Sequence, residues 1–161
     1  RVGKIVRLES RFLASAKLQN GLRILHGGKV LELMDEASGS LANHYLSTPG
    51  RLAAVHAGEE VYFLKPLRTG EAAKIIAKVL LVTKKIICVY MEVRGGQPGK
   101  HSKFTRRYAG FGLCAVIDKN GQGKMIKDLT PYHDPFHPMT RNAEYVVRFQ
   151  KNLRKSILKT R

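Results

Sequence analysis

The chain has 161 residues, 43% of them hydrophobic, enough for one globular domain with a substantial core. Lys and Arg outnumber Asp and Glu 29 to 12, a net charge of +17 that exceeds what solubility asks of a small domain and attracts polyanions, whether nucleic acid, anionic lipid or a phosphorylated substrate. No apolar run reaches the ~18 residues of a membrane span, and two cysteines, Cys88 and Cys114, exclude a disulfide framework and fit free, buried thiols in predicted strands.

Residues 4–13, KIVRLESRFL, read as a first strand or as an arm laid along the domain. The chain is organised around the next stretch, Asn20 to Ala37, which is a loop, a glycine pair and a helix. From Gly28 onward Val30, Leu31, Met34, Ala37, Leu41, Ala42, Tyr45 and Leu46 fall within one arc at the helical period, a buried face. Asp35 lies at the margin of that arc, with Leu31 one turn before it and Ser38 and Gly39 one turn after. Glu32 and Glu36 point away, toward the polar side with Lys29, Ser40 and Asn43. One carboxylate is thus placed at the edge of the core, where either Ser38 or a backbone group satisfies it and it only fixes the helix, or it has work to do. His26-Gly27-Gly28 stands where the helix begins, so unpaired N–H groups and the helix dipole there favour negative charge, as an oxyanion hole requires.

Ser47-Thr48-Pro49-Gly50 ends this helix with turn chemistry. Strands follow at about 51–64, 72–83 and 86–94, rich in Val, Ile, Leu and Tyr. Arg94-Gly95-Gly96-Gln97-Pro98-Gly99 reads as a loop. A long strand runs from about Phe104 to Asp118 and ends at the Asn120-Gly121 turn. One long helix followed by four or five strands gives an α+β fold, a helix wrapped by an antiparallel sheet.

After about Met125 the composition changes, which divides the chain into residues 1–124 and a proline-rich, basic extension over 125–161. Three prolines between Thr130 and Pro138 predict an extended segment draped over the domain. They also disfavour the helix that would bring His133 and His137 together as ligands, so no metal site is expected. A helix is predicted from Asn142 to Lys159, with Val146, Phe149, Leu153 and Ile157 on one stripe and basic residues on its other faces. Arg141, Arg148, Lys151, Arg154, Lys155 and Lys159 form a candidate nucleic-acid surface acting through phosphates, with no base-stacking aromatics evident.

Asn20, His26-Gly27-Gly28, Leu33-Met34-Asp35-Glu36-Ala37, Phe63-Leu64-Lys65-Pro66 and Gly70-Glu71, in that order over roughly residues 5–120, resemble the acyl-CoA thioesterases of the hotdog fold. The resemblance implies a hotdog fold with a long central helix wrapped by the sheet, an acyl-CoA substrate, no cofactor, and a homodimer or higher even oligomer in which the Asn and the Asp of one site come from different subunits. It also implies roles. Gly27 would hold the thioester oxygen beside Gly28, Asn20 would orient water, and Asp35 would act as base or nucleophile, with His26 in the same group. Lys65, Lys84, Lys85 and Arg106 would meet the CoA phosphates. The chain departs from many relatives in carrying Arg23 where they have Gly, and His56 where some have Ser or Thr; at His26 it matches one branch of the family, others having an aromatic there.

Two functions follow. The first is hydrolysis of a fatty or aromatic acyl-CoA thioester. The alternative is a non-catalytic, thioesterase-derived structural protein of a ribonucleoprotein such as a mitochondrial ribosome, touching RNA or ribosomal proteins through its basic surface. The basicity suggests the mitochondrial matrix, the cytoplasm being the other expectation, and a start at Arg1 leaves open a targeting segment.

Overall fold

A computed structural model describes residues 6–46, 52–100, 103–123 and 132–159; the expected turn at 47–50 and the segment 124–131 lie outside them. The elements run β1 (Arg7–Leu13), α1 (Gly27–Leu46), β2 (Leu52–Phe63), β3 (Ala72–Val82), β4 (Ile86–Gly96), β5 (Thr105–Asp118), β6 (Tyr132–His133) and α2 (Thr140–Lys159). The strands form one antiparallel sheet in the order β1-β3-β4-β5-β2, with β6 pairing to the far end of β3. Within the segment 4–13, Arg7–Leu13 therefore supplies an edge strand. At the opposite edge β2 pairs, among the described residues, only with β5, so the other side of its backbone faces away from the sheet.

The sheet wraps α1 because the two surfaces match. Val30, Met34, Ala37, Leu41, Ala42, Tyr45 and Leu46 are buried against Ile75, Ala77, Val79, Ile87, Val89, Met91, Val93 and Val116 of the strands. Full burial of each large side chain in this layer stabilises the fold by ~1.5–3 kcal/mol. Ser38 is buried among them because β5 carries Gly112 opposite it: a Cβ on Gly112 would lie 2.8 Å from Ser38 Oγ. Helix and sheet touch there through their smallest residues.

The second face of the sheet is also covered. Leu80, Cys88, Tyr90, Phe111 and Leu113 pack with Ala143 and Val146 of α2. This explains why β4 is almost continuously buried instead of alternating. A bulge in β3 between Val79 and Leu81 serves both layers, sending Val79 and Val82 to α1 and Leu80 to α2. Cys88 and Cys114 are free and buried, as expected.

Two expectations require correction. β4 continues through Arg94, Gly95 and Gly96, which pair with β3, and the loop begins only after them. Those glycines do not make a turn. A Cβ on Gly95 would lie 2.3 Å from Leu67 Cδ1, so the position is a close approach between strand and loop. The apolar stripe of α2 is likewise only partly used. Ala143 and Val146 are buried near its start, whereas Phe149 and Leu153 are exposed, because the helix leaves the sheet along its second half.

The draped segment has its own anchors. Asp134 N–H donates to Leu80 O at 3.0 Å, and Asp134 Oδ1 accepts from the N–H of Phe136 (3.1 Å) and His137 (3.2 Å). The imidazole of His137 packs on Tyr90 with ring centroids 5.2 Å apart. Among the described residues, no group of three or more His, Cys, Asp or Glu could hold a metal ion.

Candidate active site

The loop before α1 is built around Asn20. Its Oδ1 accepts from Leu22 N (2.9 Å) and Ile24 N (3.4 Å), and its backbone N–H donates to Ile24 O at 2.8 Å. This closes a tight turn in which Arg23 takes φ +57°, a left-handed conformation that glycine adopts at least cost. The side chain of Arg23 is exposed.

His26 then caps the helix. Its Nδ1 accepts from Gly28 N–H at 3.1 Å, while its backbone oxygen accepts from Lys29 and Val30. The ring therefore satisfies an orphan donor, and the Gly28 amide expected to face substrate is engaged inside the chain. The Gly27 N–H is different: it meets no acceptor among the described residues. It lies in the first turn, where the helix dipole adds to its attraction for an oxyanion. Phe63 packs over this spot, 3.2 Å from where a Gly27 Cβ would stand, and is itself held edge-on by Tyr108 at 5.2 Å.

Asp35 lies eight residues further along α1, a rise of ~12 Å, so one chain cannot place Gly27 and Asp35 on the same reacting carbonyl. Ser38 does not satisfy its carboxylate; the hydroxyl donates instead to the Asp35 backbone oxygen at 3.0 Å. The partner of Asp35 Oδ1 is Nδ1 of His56, in direct contact across from β2. The two side chains remain 49% and 35% exposed, so water reaches the pair.

Two features of β2 bring His56 there. Asn43, expected on the polar side of α1, pairs its side-chain amide with both backbone groups of Ala54, at 2.9 and 3.0 Å, and so fixes the register two residues before His56. Ordinary alternation from Ala54, which is buried toward α1, then turns His56 to the same face; the bulge between His56 and Gly58 comes after it, with Ala57 lining the groove on the opposite side of the sheet. Opposite His56 stands Cys114, whose thiol is pushed up to about 11 by burial and is hydrogen-bonded to Ser38.

The expected phosphate-binding cations separate into three places. Lys65 is exposed beyond β2, in a segment whose Leu64 and Lys65 N–H groups donate to Arg107 O. Arg107 reaches back to Pro66 O (3.1 Å), Gly95 O (3.3 Å) and Glu71 (2.6 Å), tying that segment to the sheet. Arg106 is committed to Glu92 at 2.8 Å, and a guanidinium already paired is a poorer phosphate ligand than a free one. Lys84 and Lys85 instead line a groove of about 1000 Å³ between the sheet and the second half of α2, together with Lys151, Arg154 and Lys155. Arg141 and Arg148 are exposed elsewhere on α2, and the Lys159 side chain is outside what is described.

A sequence model of the thioesterase superfamily matches residues 22–101, which span α1 to the end of β4. The chain belongs to this superfamily. Solved structures share its fold over nearly the whole length. The acyl-CoA hydrolase of Staphylococcus aureus, solved with butyryl coenzyme A, coenzyme A and coenzyme A disulfide, is 17% identical over 96% of this chain and 89% of its own, with a TM-score of 0.75. A hexameric acyl-CoA thioesterase in its apo form is 22% identical over 96% of this chain and 94% of its own, with a TM-score of 0.74. The PaaI protein of the phenylacetic acid degradation operon of E. coli is 21% identical over 74% and 76%, with a TM-score of 0.59. The staphylococcal enzyme has also been solved as alanine variants at an asparagine and at an aspartate fifteen residues later. Among curated proteins no match is found. This thioesterase-superfamily chain thus has the hotdog architecture, an antiparallel sheet around one long helix.

Proposed function

We propose that the chain hydrolyses an acyl-CoA thioester, with a fatty or aromatic acyl group, at sites shared between two copies. The observation that carries this is the distribution of groups along α1. An unengaged Gly27 N–H stands at its start and a water-accessible Asp35–His56 pair two turns on, too far apart to act within one chain. A second copy set against the open edge of β2 supplies the missing half of each site. The fifteen-residue separation of Asn20 and Asp35, the same as in the staphylococcal enzyme, supports the same reading.

In this scheme the thioester oxygen sits against Gly27 N–H, which stabilises the charge that develops as the carbonyl becomes tetrahedral. The Asn20 carboxamide, its oxygen used by the loop, presents its NH₂ to the attacking water. The Asp35 end of the other copy accepts the proton of that water. Steady-state hydrolysis of a panel of acyl-CoA thioesters, short, long and aromatic, by the wild type and by Asp35→Ala tests this. Turnover by the wild type that falls at least about 100-fold in the folded variant is expected. Absence of turnover with every thioester, together with salt-sensitive binding to RNA, would replace hydrolysis with the ribonucleoprotein role, which has only the charge in its favour.

A further inference from the structure

We propose that the proton acceptor of the hydrolysis is the imidazole of His56, and that Asp35 orients and charges it. The inference rests on the thioesterase reading and refines it. Its basis is the direct contact between His56 Nδ1 on β2 and Asp35 Oδ1 on α1, two elements that Asn43 and Ala54 already hold together. An ionised carboxylate can only accept, so the shared proton belongs to Nδ1 and the lone pair of the ring is on Nε2. A carboxylate that holds Nδ1–H sets the tautomer of an imidazole and stabilises the cation formed when Nε2 takes a proton.

The surroundings leave His56 this role. From α1 the titratable group that meets it is Asp35, from β5 it is Cys114, and on its own strand the next acid is Glu59. Cys114 is fully buried, and burial keeps its thiol protonated, so it offers no competing base. Asn43 holds β2 at Ala54, two residues before His56, in the register that brings residue 56 over Asp35.

The step balances as follows. Water adds its oxygen to the thioester carbon while one of its protons passes to Nε2, giving an imidazolium and a tetrahedral oxyanion held at Gly27 of the other copy. Collapse of the oxyanion breaks the C–S bond, the thiolate takes the proton from Nε2, and a carboxylic acid and a thiol leave. No other reactant is consumed.

The decisive variant is His56→Asn, whose side-chain NH₂ can still donate to Asp35 but which cannot accept a proton from water. Its kcat on the best thioester of the panel is expected to fall by about 10²–10⁴ with KM within roughly threefold, a loss typical of a missing general base. His56→Ala, which opens the space, should regain part of its rate from added imidazole in proportion to concentration. Thermal melts within a few degrees of wild type would exclude misfolding as the cause. If His56→Asn keeps kcat within about threefold of wild type while Asp35→Ala is inactive, Asp35 itself takes the proton and this inference is overturned with hydrolysis intact. A wild type without any thioesterase activity overturns both, and is recognised before either variant is needed.

Discussion

Gly112→Ala probes the contact on which the whole arrangement turns. An ideal Cβ at Gly112 lies 2.8 Å from Ser38 Oγ, 2.9 Å from Ser38 Cβ and 3.2 Å from Met91 Cε. Met91 can swing aside, since thioether chains adapt to irregular space. Ser38 cannot: it is fully buried, and its hydroxyl holds the Asp35 backbone oxygen. Restoring an ordinary carbon–carbon separation of about 3.5 Å or more requires α1 to lift by roughly half an ångström or more. Overpacking of this kind costs ~1–3 kcal/mol, and for a chain of this size ~1 kcal/mol lowers Tm by about 2–4 °C. The lift also moves Asp35, one turn away. Displacement of a reacting group approaching 1 Å costs up to about 100-fold in rate, so kcat should fall as well. Thermal and urea unfolding and thioester turnover are the assays. Adding Ser38→Gly removes the obstructing atoms, so the double variant should be more stable than the sum of the single changes by at least about 0.5 kcal/mol. A Gly112→Ala protein that melts with the wild type and turns over normally would refute the close approach of α1 to β5.

Arg23→Gly should stabilise the protein by roughly 0.5–1 kcal/mol, because relief of ~1–2 kcal/mol of left-handed strain at φ +57° exceeds the entropy a glycine costs; a lower Tm would contradict that conformation. High pH should unfold the chain through buried groups. Burial, with the charge of Cys114 beside it, pushes the Cys88 thiol up to about 12, and burial pushes Tyr90 up to about 12 and Cys114 to about 11. These are groups with raised folded values, so the stability they contribute is whole below their unfolded values, about 9 for the thiols and 10 for the phenol, and is lost as pH rises toward 11–12. Unfolding midpoints should therefore drop between pH 9 and 12, less steeply in Cys88→Ser, and a thiol reagent at pH 8 should modify neither cysteine until the protein is unfolded; rapid labelling of the native protein would contradict their burial.

The elements legible in the sequence were those with a local period. The buried face of α1, the strand order along the chain and the Asn120-Gly121 turn follow from patterns within a few residues of one another. What escaped depends on pairs far apart in sequence. Asn43 reads as polar surface because nothing near it shows that Ala54 will arrive to use its amide. His56 is visible only as a departure from relatives, because its meeting with Asp35 depends on how β2 is set against α1 through Asn43 and Ala54, which no residue pattern in β2 announces. Gly95-Gly96 resembles a turn, yet the strand continues there because a neighbour occupies the space a side chain would need. The stripe of α2 predicts which face is apolar but not how far along its length the sheet extends beneath it.

The same long-range contacts explain how a site divided between two copies can be kept in register. Gly27, Asp35, Ser38 and Asn43 belong to one continuous helix, so their spacings are set by helical geometry and not by loops. Two contacts fix that helix to the strands: Ser38 against Gly112 sets its depth on the sheet, and Asn43 on Ala54 sets its position against β2. Once β2 is placed, His56 is placed on Asp35. Any second copy that pairs with the free side of β2 is thereby oriented against the whole assembly at once, including the Gly27 amide at one end of the helix and the dyad in its middle. Precision at the proposed site thus depends on the β2 edge, which predicts that a proline introduced at an outward-facing N–H of β2 beyond Ala54 lowers kcat and weakens association together, while a monomer that kept full activity in dilution would show that one chain alone completes the site.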